Sequence, residues 1–295
     1  MGVYPVIRSK SILYGDSRLR FSVCFLIPMN FFPPPVTQGD IIMTQFTINR
    51  DKFGAFLSSF GKDLADIAII VSSESIHAAV AKSTHYIYRK TNCDTTNTGS
   101  LYISDIPKVK SFLSTDKTPE LNFTQEGKTG TLHIRSGNSS LQLPTTSHIE
   151  SQTKVGLMAK TIEQSRESMW RTWFNKPLTH HAQVSAESLK PATGFKKVLG
   201  DKFACKTEFD IDGEQFIIRG GKSATGKMFV KAPLTQVEAT GIPVRSAFDK
   251  WLPELINNLP VGNLELHTGD ETVLILEQPE TDFLMVVIDQ VYEED

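Results

Sequence analysis

The sequence predicts an α+β protein made of two tandem copies of one unit, each with helices on one face of antiparallel sheets. Three observations carry that reading. The order strand, short helix, strand, turn, strand occurs twice, about 140 residues apart. Both halves open on a strand that runs into a capped amphipathic helix. The segments between alternate apolar and polar residues with the period of two that a half-buried strand requires. A chain of 295 residues is long enough for two cores.

In the first half, Phe46 and Ile48 alternate as in a strand, and Asn49 is placed to cap a helix over 50–60. Phe53, Phe56, Leu57 and Phe60 fall at i, i+3, i+4 and i+7, which gives that helix one apolar face. Strands are predicted over 66–71, 76–80 and 84–88, with a polar loop over 91–99. The first copy of the repeat has a strand at 101–104, a helix over 106–113, and strands at 120–123 and 131–134 around a turn at Gly127. It closes near Pro144.

The second half repeats this order. A strand at 181–184 leads to Ser185 as a helix cap, with Leu189, Ala192, Phe195, Val198 and Leu199 on the apolar side and Gly200 at the end. Strands are predicted over 205–211, 215–219 and 227–230, the first two joined by an Asp212-Gly213 turn. The second copy then reads Ile242-Pro243-Val244-Arg245-Ser246, a helix over 247–255, strands at 263–266 and 272–275 around Gly269, and a closing strand over 283–288. The predicted organisation is a domain over 43–150, a connector over 151–178 and a domain over 179–295. The connector is rich in aromatics, with Trp170, Trp173 and Phe174. Large aromatics usually pin an element by packing, and the functional alternative is a wall of a partner-binding groove.

Residues 1–42 read differently. Arg8, Lys10, Arg18 and Arg20 precede a short apolar stretch broken by Pro28 and followed by Pro33, Pro34 and Pro35. That stretch is too short for a membrane span and too interrupted for a targeting segment. The expectation is a disordered or misannotated extension, with the folded chain opening at Met43.

Composition excludes little but orders the possibilities. Apolar content of 40% and charged content of 22% are ordinary for a soluble globular chain, and the net charge is −2. Residues 1–42 hold four basic and two acidic side chains, so residues 43–295 carry −4. A local basic face on an acidic body still attracts nucleic acid. Cys24, Cys93 and Cys205 are far apart and suggest neither disulfide nor zinc site, consistent with a reducing compartment: the cytoplasm, or the nucleus of a eukaryote.

Catalytic motifs fail on context. The segment 221–227 resembles a phosphate-binding loop, but Met228 stands where Ser or Thr is needed and a strand follows where a helix is needed. His180 and His181 have no acidic or cysteine partner at ligand spacing. No nucleophile elbow occurs. The expectation is a non-enzymatic protein with no cofactor and no metal.

The helices carry the positive signal. Lys52 and Lys62 lie outward on or just after the first helix, Lys108 and Lys110 on the second, and Lys190, Lys196 and Lys197 on the third. Lys250 is assigned to the fourth. A solvated face explains any one of these, but repetition at matching positions points to a shared basic surface.

In this layout the chain resembles a DNA polymerase sliding clamp, of the two-domain type of proliferating-cell nuclear antigen and the T-even phage clamps. The resemblance rests on the opening strand and helix of each half, on the segments 103–113 and 244–248, on the closing apolar strand, and on the acidic tail Glu293-Glu294-Asp295. It implies two clamp-like domains and a head-to-tail homotrimeric ring around double-stranded DNA. The lysines would face the hole, and a DNA polymerase and a clamp loader would be the partners. It places client docking near the connector, at Trp170, Trp173 and Phe174, and at Val291 and Tyr292. A monomeric DNA-binding processivity scaffold stays open as an alternative, as does an unrecognised hydrolase or nuclease.

Overall fold

Two runs of strands repeat one spatial order, and a single strand pair joins them. The computed structural model describes residues 43–81, 85–115, 117–127, 130–145, 149–173, 176–199, 206–212, 214–220, 228–239, 245–249, 255–269 and 273–288. The first half comprises β1 (Met43–Asn49), α1 (Arg50–Ser58), β2 (Ile67–Val71), β3 (Ser75–Ala81), β4 (His85–Asn92), β5 (Asp94–Asn97), β6 (Gly99–Ile103), α2 (Ile106–Thr115), β7 (Glu120–Glu126), β8 (Thr131–Ser136) and β9 (Ser139–Pro144). A long helix, α3 (Ile149–Glu167), and a small hairpin of β10 (Thr172–Trp173) and β11 (Lys176–Pro177) follow. The second half comprises β12 (His180–Ser185), α4 (Ala186–Leu189), a 3-10 turn (Lys190–Gly194), α5 (Phe195–Leu199), β13 (Lys206–Asp212), β14 (Gln215–Gly220), β15 (Met228–Ala239), β16 (Arg245–Asp249), β17 (Asn263–Thr268), β18 (Val273–Gln278) and β19 (Phe283–Ile288).

Among the described residues, one sheet orders β5-β1-β7-β8-β9. A second orders β16-β13-β14-β15-β12-β17-β18-β19-β4-β3-β2-β6. The permutation β6-β2-β3-β4, then β5-β1-β7-β8-β9, is thus the permutation β16-β13-β14-β15-β12-β17-β18-β19. The first half divides the role of β15 between β4 and β5, on either side of Cys93. β15 serves both roles unbroken, pairing β14 over its first part and β12 over its second. The halves are joined by β19 against β4, in antiparallel register from Phe283↔Arg89 to Val287↔His85.

The two faces of this sheet bury different groups. On one, α1, α2, α4 and α5 cover a core shared with the five-stranded sheet, which includes Phe46, Phe53, Phe56, Phe123, Phe195, Leu274, Phe283 and Met285. On the other, α3 and the following turn cover Tyr88, Val273, Ile275, Leu284 and Val286 with Met158, Ile162, Trp170 and Trp173. Strand β18 is therefore buried at every position, as a strand covered on both faces must be. Phe46 and Phe123 stack at 4.6 Å between β1 and β7. Gly220 leaves room for the Phe195 ring, since a Cβ there would stand 2.6 Å from its Cδ2.

Several expectations hold in detail. Asn49 Oδ1 accepts from the amides of Asp51 and Lys52 at 2.9 and 3.2 Å, and Phe53, Phe56, Leu57 and Phe60 are all buried. Others are corrected. The polar segment expected as a loop contains β5, which pairs with β1; a sheet edge facing water accepts polar, threonine-rich sequence. The helix expected from Ser185 to Leu199 is broken into α4, the 3-10 turn and α5. Pro191 has no N–H to continue an α-helical ladder. Ser185 Oγ donates to Glu187 Oε2 at 2.7 Å instead of capping an amide. Val198, expected in the core, is exposed. The helix expected over 247–255 is also wrong at its start: Arg245–Asp249 is strand β16, paired with β13, and Leu255 and Ile256 lie in the following helical turn. Phe248, Trp251, Leu252 and Leu255 have helical spacing, but the open edge of β13 takes the backbone first.

Candidate functional site

The helix-bearing face presents the lysines singled out from the sequence. Lys52 on α1, Lys62 just beyond it, Lys190 in the 3-10 turn, and Lys196 and Lys197 on α5 are exposed. Lys108 on α2 is exposed but held by Asp105, at 2.9 Å to Oδ2. Asp105 also accepts the Lys108 amide at 2.9 Å, and the Lys108 side-chain hydrogen bond holds its carboxyl below the usual range. Lys110 is half-buried, and its Nζ donates to the Gly61 carbonyl at 3.4 Å, which ties α2 to the end of α1. Lys250 lies outside the described residues. The geometry therefore separates freely presented cations, Lys52, Lys62, Lys190 and Lys197, from two lysines already engaged within the fold.

The opposite face holds a second arrangement that the sequence reading missed. Near the end of α3, Arg166 Nε donates to Glu277 Oε1 at 2.6 Å, and its Nη1 lies 3.3 Å from Asp282 Oδ1. Burial works to lower the Arg166 pKa, but Glu277 and Asp282 outweigh it and the net shift is upward. Burial pushes the Glu277 carboxyl up, while Arg166 and the Trp170 indole pull it back. On the neighbouring strands, His181 of β12 and His267 of β17 meet Nδ1 to Nδ1 at 2.9 Å. Trp170 stacks on His267 with ring centres 5.1 Å apart and Trp173 stacks behind Trp170 at 6.0 Å. Burial, then His181, lowers the His267 pKa to about 3, so the imidazole is neutral.

Arg166, Trp170, His181, His267 and Glu277 line a cavity of about 460 Å³ with Glu238, Glu265, Gln236 and Met169. Its walls carry unusual backbone. Among the described residues the non-glycine positions with left-handed φ are Met169, Trp170, Gln236 and Asp282. The first three line the cavity and the fourth holds Arg166. Gln236 sits where the β12–β15 register shifts, at a bulge in β15. Outliers of this kind gather at sites where the surrounding structure fixes them.

Of the residues expected to bind partners, Trp170 and Trp173 are buried beneath the end of α3, with Trp170 forming a cavity wall. Phe174, Val291 and Tyr292 lie outside the described residues. Of the two histidines singled out at 180 and 181, only His181 lines the cavity, and the groups beside it, His267, Glu265 and Glu277, arrive from strands far along the chain.

No protein-family model matches the chain, and no curated protein matches its sequence. Against solved structures it has the sliding clamp fold. It aligns with the DNA polymerase III beta subunit of Thermotoga maritima at a TM-score of 0.65 and 10% identity, over 90% of this chain and 70% of that one. It aligns with the DNA polymerase sliding clamp of Pseudomonas aeruginosa at 0.62 and 12%, over 90% and 70%. With PCNA of Thermococcus kodakaraensis the values are 0.60 and 13%, over 83% of this chain and 99% of that one. At these identities the likeness is one of fold.

Proposed function

We propose that this chain is a sliding clamp: a non-enzymatic processivity factor that encircles duplex DNA as a homotrimer and tethers a DNA polymerase. The observation that carries this is the pair of open strand edges. Within the chain, the last strand of one half, β19, pairs with β4 of the other. The strand equivalent to β19 in the first half is β9, and the one equivalent to β4 is the first part of β15. Among the described residues neither is paired on that outer edge. A head-to-tail contact between β9 of one copy and β15 of the next repeats the internal junction and closes a ring. In such a ring α1, α2, α4 and α5 face the hole. The lysines would then meet phosphates without reading sequence, which permits sliding. Retention would come from topology, and the tether would raise the effective concentration of polymerase at the primer end. A clamp loader would open the ring, and client segments would dock on the outer face near Trp170 and Trp173, with Phe174, Val291 and Tyr292.

Light scattering tests the assembly. The expected mass is three times the 32.8 kDa of the chain, and a strict monomer at micromolar concentration overturns the ring. Loading on nicked circular DNA tests the mechanism: linearising the circle should release the protein. Retention on linear DNA with free ends, reversed only by salt, would instead support a monomeric scaffold held by charge.

A further inference from the structure

The cavity beneath the end of α3 has chemistry that a DNA-encircling role does not use. We propose that Glu265, His267 and Glu277 form a binding site for a divalent transition-metal ion, zinc being the cation whose preferences they match best. The inference stands on this chain's residues and is independent of the clamp reading.

One donor atom from each of the three residues falls within 4.8 Å of the others. His267 supplies the observation that points to a ligand. It is only 6% exposed, and its Nε2 is buried with no hydrogen-bond partner. That atom lies 3.8 Å from Glu265 Oε2, too far for a hydrogen bond and suited to a cation between them. The other ring nitrogen is engaged by His181 at 2.9 Å. If His267 Nδ1–H donates to His181 Nδ1, the tautomer is fixed and Nε2 is left as a bare lone pair. This is how a second partner orients a metal-bound histidine. Glu277 is positioned in the same manner by Arg166 and the Trp170 indole, and a carboxylate keeps lone pairs beyond those two partners.

Charge agrees with the donors. Glu238, Glu265 and Glu277 line the cavity against the single cation Arg166, so the lining is net acidic and favours a cation. One imidazole with two carboxylates is a donor set for zinc and its neighbours, whereas magnesium and calcium favour all-oxygen cages. The open side of the cavity leaves room for water as a further ligand. Such an ion would bind β17 to β18 directly under the left-handed turn at Met169 and Trp170, and so would fasten the end of α3 to the sheet.

The test uses the full chain, freed of metal by a chelator and titrated with zinc chloride by calorimetry, and with cobalt chloride by absorption. One ion per chain is expected, with cobalt d–d bands of a four- or five-coordinate centre and no thiolate charge-transfer band. Glu265→Gln should weaken zinc binding at least ~10-fold while leaving the metal-free melting temperature unchanged, because that side chain is 40% exposed. His267→Gln should weaken zinc binding by at least as much. If that variant fails to fold, Glu265→Gln decides alone. No binding at micromolar zinc overturns the proposal. So does binding that survives Glu265→Gln but is lost in His181→Gln, which would place the ion on the paired imidazoles.

Discussion

His77 shows how one side chain ties the outer face to pH. It lies on β3 opposite Lys90 of β4, with the Tyr88 ring 6.1 Å away. Burial, and then the charge of Lys90, lowers its pKa from 6.5 to about 4. The folded chain therefore keeps His77 neutral where the unfolded chain takes up a proton. Its contribution is complete above pH 6.5 and is lost as the pH falls toward 4, about 2 kcal/mol by roughly pH 5. Urea denaturation across that range should show the loss, and His77→Gln should flatten the profile. A profile unchanged by the substitution would mean that the ring is hydrated in the folded state.

At the scale of elements, the free edge of β15 invites a direct trial. Phe229 is 62% exposed beside Lys231, an unusual place for a large aromatic on a monomer. Phe229→Asp places a charge where the proposed ring pairs strands. The expected result is a fall in solution mass from trimer to single chain with the circular dichroism spectrum unchanged. A trimer that survives the substitution would move the interface elsewhere. The elements also show what could be read in advance. Helix α1 was legible because its cap and four aromatic or aliphatic positions agree with each other. Strand β16 was legible only at its start, because Phe248 shares helical spacing with Trp251, Leu252 and Leu255 beyond it, and the edge of β13 decides its state. The α4 to α5 break was announced by Pro191 but outweighed by the apolar periodicity around it. The cavity was least legible. Arg166 reaches Glu277 across 111 positions and His181 reaches His267 across 86, and no local pattern encodes such meetings.

For the whole molecule, the helix-bearing face should behave as one weak, additive surface. The double variant Lys190→Ala with Lys197→Ala removes two exposed cations without touching the core. DNA affinity should fall, and the slope of log affinity against log salt should become shallower by up to about 5, since a ring of three copies loses six lysines, with the trimer mass unchanged. An unaltered salt slope would remove these residues from the DNA-facing set. The same face keeps Lys108 and Lys110 occupied by Asp105 and Gly61, so their substitution tests fold and binding together and serves less well.

The pairing of β19 with β4 also sets an order of events during synthesis. Strand β4 leaves the ribosome roughly 200 residues before the strand that covers its edge, a separation that slows closure. Through that interval the nascent first half exposes an unpaired edge, while β9, equivalent in position to β19, is already made. A β9 from a neighbouring nascent chain fits that edge in the geometry of the finished junction. Premature pairing of this kind would trap open chains end to end. The architecture that would let copies close into a ring therefore also makes their timing matter, and late arrival of the C-terminal strand is the point at which crowded synthesis would go astray.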